Sequence, residues 1–343
     1  MNIRCNAPWK KNNIVTGIRL TLALASGGLS LPEPARIAVF APRAGADLSA
    51  LPQDACHVIT GFRPDHDHFD AAGFACAIAP EGRYDAALVC VPRARVQAHD
   101  LIAQAAAVTD GPVMIDGLKT DGIESTLKEC RKRADVSAPI SKAHGKLFWF
   151  TGGDFADWRA AGTTVIEDGF VTAPGVFSAD GIDPASRFLA DHLPANLAGH
   201  LADLGAGWGY LAARALAQCD KITQIDLVEG DHAALECARQ NVSDPRAQFH
   251  WVDARHWKPA TLLDAVLMNP PFHTGRKPDA SLGRAFIAAA AGVLKPSGQL
   301  WMVANRHLPY EEPVNAAFGE VTEVAGDARF KLFHARRPVR HKR

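Results

Sequence analysis

The chain has 343 residues, 48% hydrophobic and 22% charged, which is material for two ordinary domains, each with its own core. Thirty-seven basic residues balance thirty-seven acidic ones, which excludes a protein that holds polyanions by bulk charge alone. Seven cysteines without a C-x-x-C pair exclude a disulfide framework and a cysteine-based zinc module, and point to reduced thiols in a cytoplasmic protein.

Near the N-terminus, Lys10 and Lys11 ahead of the apolar stretch 18–31 superficially resemble a secretory leader. Arg19 and the Gly27-Gly28 pair interrupt it, and Leu31-Pro32-Glu33-Pro34 leads straight into a strand, so no leader is expected. Residues 1–15 are expected to be an extension without ordered structure. No run of eighteen apolar residues occurs, which excludes a membrane-spanning helix.

Residues 36–140 read as α/β, with strands at Ile37–Phe40, His57–Ile59, Ala86–Val91 and Pro112–Ile115 and helices at Ala94–Val108 and Asp121–Arg133. Cys56, Cys76 and Cys90 read as small core residues. The cluster Asp65-His66-Asp67-His68-Phe69-Asp70 has no third group of ligands nearby and reads as a solvated loop rather than a metal site. No metal is expected anywhere in the chain. Residues 151–172, with Trp158, read as a packed connection.

The second half opens with Leu201-Ala202-Asp203-Leu204-Gly205-Ala206-Gly207-Trp208-Gly209-Tyr210, a strand, a glycine turn and the start of a helix. Gly205, Gly207 and Gly209 let the backbone approach a ligand without Cβ collisions. The G-x-G-x-G spacing is neither that of dinucleotide binders nor that of a P-loop, and fits a phosphate-free ligand with an adenosine end better than NAD or ATP. The strand Ile222–Glu229 ends in a carboxylate suited to ribose hydroxyls. Glu229 is preferred over Asp226, which falls mid-strand, and over Asp231, which starts the next helix. A third short strand, Phe249–Ala254, ends at Asp253, placed to accept from an adenine amino group or simply to cap a turn.

A buried strand, Leu262–Met268, then stops at Asn269-Pro270-Pro271-Phe272. Two prolines hold one extended shape that presents a side-chain amide, fixed carbonyls and an aromatic face. These suit a planar amino group on a flat ring. His273 follows, to touch substrate or to close the turn.

The order Asp-Leu-Gly-Ala-Gly-Trp-Gly, acidic strand end, Asp253, Asn-Pro-Pro-Phe resembles the class I S-adenosylmethionine-dependent methyltransferases that act on exocyclic amino groups. More narrowly, the chain resembles the ribosomal RNA guanine-N2 methyltransferases of the small-subunit methyltransferase C family. That match rests on Pro174-Gly175-Val176-Phe177-Ser178, Asp180-Gly181-Ile182-Asp183, Asn269–His273, Val303–Tyr310 and Arg329–Leu332. The resemblance covers residues 172–335 well and the first half loosely.

It implies two tandem Rossmann-like class I methyltransferase domains: a degenerate one over 1–150 for RNA docking or structure, and a catalytic one over 173–335. A basic tail follows over 336–343. It implies S-adenosyl-L-methionine as cofactor, held by Asp203, Gly205, Ala206, Gly207, Gly209, Glu229, Asp253, Ala254, Ser178, Asp183 and Asn269. Asn269, Pro270, Pro271 and Phe272 would be catalytic. The implied partner is ribosomal RNA, within the small ribosomal subunit, for a monomeric enzyme. Residues 151–335 hold 15 bases against 22 acids, so RNA contact must come from local patches. These are Lys128, Arg131, Lys132 and Arg133; Lys142 and Lys146; Arg276 and Lys277; and the tail Arg336, Arg337, Arg340, Lys342 and Arg343. Readings that stay open are a large-subunit guanine, DNA adenine, the glutamine of a release factor, and a silent RNA-binding assembly factor.

Overall fold

The structure is a computed structural model and describes residues 15–26, 28–271 and 280–340. It forms two compact units that divide between Gly162 and Thr163.

The first unit carries helix α1 (Val15–Ser26) and strands β1 (Ile37–Phe40), β2 (Cys56–Ile59), β3 (Ala75–Ala77), β4 (Ala86–Cys90) and β5 (Val113–Leu118). Helices α2 (Arg63–Ala71), α3 (Arg95–Val108) and α4 (Ile123–Cys130) are interleaved, and strands β6 (Ile140–Lys142) and β7 (Gly145–Phe150) end the sheet. The second unit begins with a small ribbon, β8 (Thr164–Val165) and β9 (Val171–Thr172), then helix α5 (Pro184–Asp191). Its sheet contains β10 (Gly199–Leu204), β11 (Ile222–Glu229), β12 (Ala247–Trp251), β13 (Leu263–Met268), β14 (Leu294–Asn305), β15 (Phe318–Gly326) and β16 (Phe330–Pro338). Helices α6 (Tyr210–Gln218), α7 (His232–Asn241), α8 (Ala280–Val293) and α9 (Glu311–Ala317) complete it.

Both sheets are wired alike. The strand orders are β3-β2-β1-β4-β5-β7-β6 and β12-β11-β10-β13-β14-β16-β15. In each, five strands run parallel, the next pairs antiparallel with the fifth, and the edge strand pairs antiparallel with that one. The central strands are buried on both faces, so they read as continuous apolar runs rather than alternating ones.

Register aligns the two units residue by residue. Phe40 pairs with Ile59, and Leu204 pairs with Val228. The next residue, Ala41 or Gly205, has a positive φ (50° and 78°) and donates its N–H across to the same carbonyl, Ile59 O at 2.8 Å or Val228 O at 2.9 Å. By the same register Val39 stands where Asp203 does, Thr60 where Glu229 does and Cys90 where Asn269 does. The first unit therefore keeps the bend and has lost the carboxylates and the amide. Its loop after β1 is also spoken for: Ala44 N donates to Asp65 Oδ1 at 2.7 Å and Gly45 N to His68 Nε2 at 3.0 Å.

That contact corrects one expectation. Residues 65–70 are not a solvated loop but the body of α2, with Asp65 and Phe69 buried. The polar composition hid a helix whose buried Asp65 carboxylate and exposed His68 imidazole both serve a neighbouring loop. No cluster that could hold a metal occurs among the described residues. The stretch read as a broken leader is α1. Arg19, the apparent interruption, is 1% exposed and forks onto Asp116, with Nε to Oδ1 at 2.5 Å and Nη2 to Oδ2 at 2.7 Å. Its Nη1 reaches the Lys142 carbonyl, and Thr16 donates to Asp116 as well. A further correction concerns β12, which ends at Trp251 and leaves Asp253 in the turn beyond. Trp158 packs within the first unit, stacked on the His99 ring at 3.9 Å and under the Arg133 guanidinium. The six described cysteines are free thiols. No described helix is long and apolar enough to cross a membrane.

Candidate active site

The order of the second sheet reverses between β10 and β13, the point where open α/β sheets hold ligands at their carboxyl ends. Asp203 on β10 lies opposite Leu267 on β13, and each strand ends one residue later, so the chain leaves these adjacent strands at Gly205, where the glycine turn begins, and at Asn269. The two motifs, more than sixty residues apart in sequence, emerge side by side.

Gly205, Gly207 and Gly209 all have positive φ, at 78°, 55° and 89°. A Cβ on Gly207 would meet no atom within 4 Å, so its glycine requirement comes from backbone conformation and from whatever occupies the open space above it. Gly209 caps α6 and sits against Val242 and Ala238, where a side chain has no room. Ala206 N shares the Val228 carbonyl with Gly205 N.

Two carboxylates flank the turn. Asp203 has no exposed surface; its Oδ2 accepts from Ala212 N at 3.2 Å, while Oδ1 is buried without a hydrogen-bond partner. Burial, opposed by that one N–H and reinforced by the Glu229 charge, pushes Asp203 up to about 7. Glu229 is raised to about 7 as well, chiefly by burial, although it accepts from Gly207 N at 2.7 Å and Asp231 N at 2.8 Å. A buried oxygen with no donor is costly, and a cationic donor would satisfy it. The orphaned Asp203 Oδ1 beside an open glycine turn therefore fits the ammonium of an amino-acid ligand. The Asp226 carboxylate takes His200 at 2.5 Å and His250 at 2.8 Å instead, and Asp231 caps α7 through Ala233 N. Asp253 is clasped by Arg255, whose Nε and Nη2 reach both its oxygens, and it also accepts Arg255 N. Ala254 is buried beside it.

At the other motif, Asn269 is half-buried, Pro270 is buried, and Pro271 is the last described residue of the corner. Phe272, His273, Arg276 and Lys277 lie outside the described residues. Asn269 Nδ2 donates to Asp183 Oδ2 and to Ser186 Oγ, each at 2.9 Å. Asp183 caps α5 by accepting Ser186 N at 2.8 Å. Ser178 turns away into its own loop at φ 53°, its hydroxyl donating to Gly181 O. The same loop reaches the glycine turn through Trp208 Nε1, which donates to Phe177 O at 3.0 Å and leaves the Phe177 ring 55% exposed.

Residues 167–334 match the family model described as Methyltransferase small domain. Ribosomal RNA small subunit methyltransferase C of Idiomarina loihiensis is 29% identical over 308 residues, covering 85% of this chain and 91% of that protein. The protein of the same name from Hahella chejuensis is 30% identical over 279 residues, 76% of this chain and 79% of its own length. This chain belongs to the ribosomal RNA small subunit methyltransferase C family. A T. thermophilus 16S rRNA N2 methyltransferase, solved in complex with AdoMet and guanosine, shares the fold with a TM-score of 0.76 at 22% identity, over 94% of this chain and 91% of that one. The large-subunit methyltransferase G of Streptomyces avermitilis is 36% identical, but over only 47% of this chain and 43% of its own.

Within this family member, sequence reasoning missed residues that work at long range. Ser186 supports Asn269 across 83 residues. Asn241 donates to Trp208 O and Val171 O, tying β9 to the glycine turn. Lys331, 1% exposed, donates to Leu308 O at 2.7 Å and pairs with Glu311, which fixes the Leu308–Tyr310 segment beyond β14. An aspartate directly ahead of a proline at the first helical position announces a capped helix, and so offered a partial signal for the turn that carries Ser186.

Proposed function

We propose that this chain methylates the exocyclic N2 amino group of a guanine in 16S ribosomal RNA, using S-adenosyl-L-methionine. The observation that carries the reading is the emergence of the glycine turn and the Asn-Pro-Pro corner from adjacent, register-paired strands. The family membership names the class of substrate, and the relatives of the small-subunit type match across both halves, whereas the large-subunit relative matches about half of the chain.

When bound, S-adenosylmethionine supplies an electrophilic methyl on a positively charged sulfur that leaves as a neutral thioether. Asp203 Oδ1 would hold the ammonium of its methionine end, the N–H groups of the glycine turn its carboxylate, and Glu229 its ribose hydroxyls. Asp253 and Ala254 would wall the adenine end, with Asp253 kept in place by Arg255. The Asn269 carbonyl oxygen and the Pro270 carbonyl would accept the two N–H bonds of the guanine amino group. That favours a pyramidal nitrogen with its lone pair aimed at the methyl, and it stabilises the charge that grows on nitrogen during transfer. Pro271 keeps the corner rigid, and Phe272 would stack on the extruded base. Holding both partners in line supplies the rest of the rate gain. The first unit serves as a docking platform, and the enzyme works as a cytoplasmic monomer on RNA assembled in the small subunit.

Mass spectrometry of rRNA nucleosides from cells with and without the protein tests the reading. Loss of N2-methylguanosine from 16S rRNA on deletion is the expected result. An unchanged 16S rRNA with a loss in the large subunit would transfer the activity there.

A further inference from the structure

A carboxamide has two ends of opposite sense, and only one of them can accept a hydrogen bond from an amine. At Asn269 the neighbours decide the matter chemically. Asp183 carries a carboxylate, which can only accept, so an amide oxygen turned toward it would set lone pairs against lone pairs. The N–H2 must therefore face α5, as it does, at 2.9 Å from Asp183 Oδ2 and 2.9 Å from Ser186 Oγ. Both N–H bonds of the amide are then engaged by one helix terminus, and the carbonyl oxygen is the end left for a ligand.

The support is itself fixed. Asp183 Oδ2 also accepts Ser186 N at 2.8 Å, so the bond that caps α5 sets the position of the oxygen that holds Asn269. Ser186 is buried at 8% exposure, and the apolar residues of α5, Ala185, Leu189 and Ala190, pack in the same core as Leu201 and Leu267 of β10 and β13. The helix that presents the two acceptors is thus tied into the strands that carry the turn and the corner.

We propose that Asp183 and Ser186 are positioning residues for methyl transfer: together they lock the Asn269 side chain so that its carbonyl oxygen, never its N–H2, meets the nucleophilic amine. This rests on the assignment of Asn269 as acceptor for the guanine amino group. An unlocked amide can rotate by half a turn and present a donor to a donor, which repels the substrate amine and withdraws the transition-state acceptor. The effect falls on kcat, because the acceptor matters most when charge has developed on nitrogen.

The test uses four variants of the full chain. Asp183→Ser keeps a good helix cap but is too short to reach Asn269. Ser186→Ala removes the second acceptor alone. Asp183→Asn retains both cap and acceptor and is the conservative control. Asn269→Ala removes the amide. Single-turnover rates on 16S rRNA substrate should fall on the order of tenfold or more for Asp183→Ser and several-fold for Ser186→Ala, judged against the hundredfold scale for losing such a group outright. Affinity for S-adenosylmethionine and the melting temperature should stay near wild type, and Asp183→Asn should stay within about threefold. Adding Asn269→Ala to the Asp183→Ser/Ser186→Ala pair should cost nothing beyond Asn269→Ala alone, because the three act as one unit.

A second readout needs no activity. The Asn269 side-chain N–H2 resonance, assigned by its absence in Asn269→Ala, should be protected from solvent exchange in wild type and lose protection in Asp183→Ser. Unchanged turnover in Asp183→Ser, losses that multiply independently with Asn269→Ala, or an unprotected amide in wild type would overturn the proposal. So would loss of cofactor binding in Asp183→Ser and Asp183→Asn, which would make Asp183 a cofactor ligand. A wild-type protein that shows the protected amide yet methylates no guanine would instead sink the functional reading and leave the lock standing.

Discussion

Asp203→Asn should make the cofactor-free protein more stable and at the same time unable to bind its cofactor. The folded protein holds this carboxyl at about 7 against an ordinary value of 3.8. At ~1.4 kcal/mol per tenfold change, that difference is roughly 4 kcal/mol of destabilisation carried by the ionised form. Because the folded-state value is raised, the folded protein binds the proton more tightly than the unfolded chain does. The cost is therefore absent below about pH 4, grows as pH rises toward 7, and is fully present above it. An asparagine keeps the acceptor for Ala212 N and removes the charge, but places an N–H2 where Oδ1 now lies unpartnered, a cost of about 1–3 kcal/mol. The balance is a gain on the order of 1–3 kcal/mol at pH 8, which for a unit of this size raises the melting temperature by several degrees. Thermal and urea denaturation of the cofactor-free variant at pH 8 and pH 4.5 measure this directly. Calorimetry with S-adenosylmethionine should show binding reduced beyond detection. A variant less stable than wild type by the same amount at both pH values would refute the reasoning, because it would mean that the carboxylate already has a partner.

Gly207→Val should abolish cofactor binding in calorimetry while the fold survives, since no atom lies within 4 Å of the added Cβ and the loss comes from φ 55° and the filled space; normal affinity would show that the turn has been misassigned. Arg19→Ala leaves the Asp116 carboxylate buried without its cation, held only by the Thr16 hydroxyl, and should cost about 3–5 kcal/mol in urea denaturation of the full chain. A change below ~1 kcal/mol would mean that the pair is not held as described. Gly283→Ala pushes a methyl to 2.1 Å from the buried Tyr310 hydroxyl, and the overpacking should cost about 1–3 kcal/mol.

How much of this was legible in the sequence follows from the range of each interaction. The glycine turn, Glu229 and Asn-Pro-Pro are local patterns at strand ends, and a parallel sheet with a switch point carries such ends to one edge. Strands β1, β4, β10 and β13 were legible because strands buried on both faces read as unbroken apolar runs. Helix α1 was not, because Arg19 looks like a defect until Asp116, 97 residues away, supplies its partner. Helix α2 was hidden because its buried carboxylate, Asp65, serves a loop rather than water, which a run of charged residues does not announce. The bond from Asp183 to Asn269 spans 86 residues, and nothing in either segment alone announces it. The likeness of the two units was legible only through the family resemblance, since Val39, Ala41, Thr60 and Cys90 preserve the register of Asp203, Gly205, Glu229 and Asn269 and none of their chemistry.

The most direct test of the account compares Asn269→Ala with wild type in two measurements on one preparation: S-adenosylmethionine affinity by calorimetry and single-turnover methyl transfer to 16S rRNA. The account predicts affinity within a few-fold of wild type and transfer slower by on the order of a hundredfold or more. Wild-type transfer by that variant would contradict it.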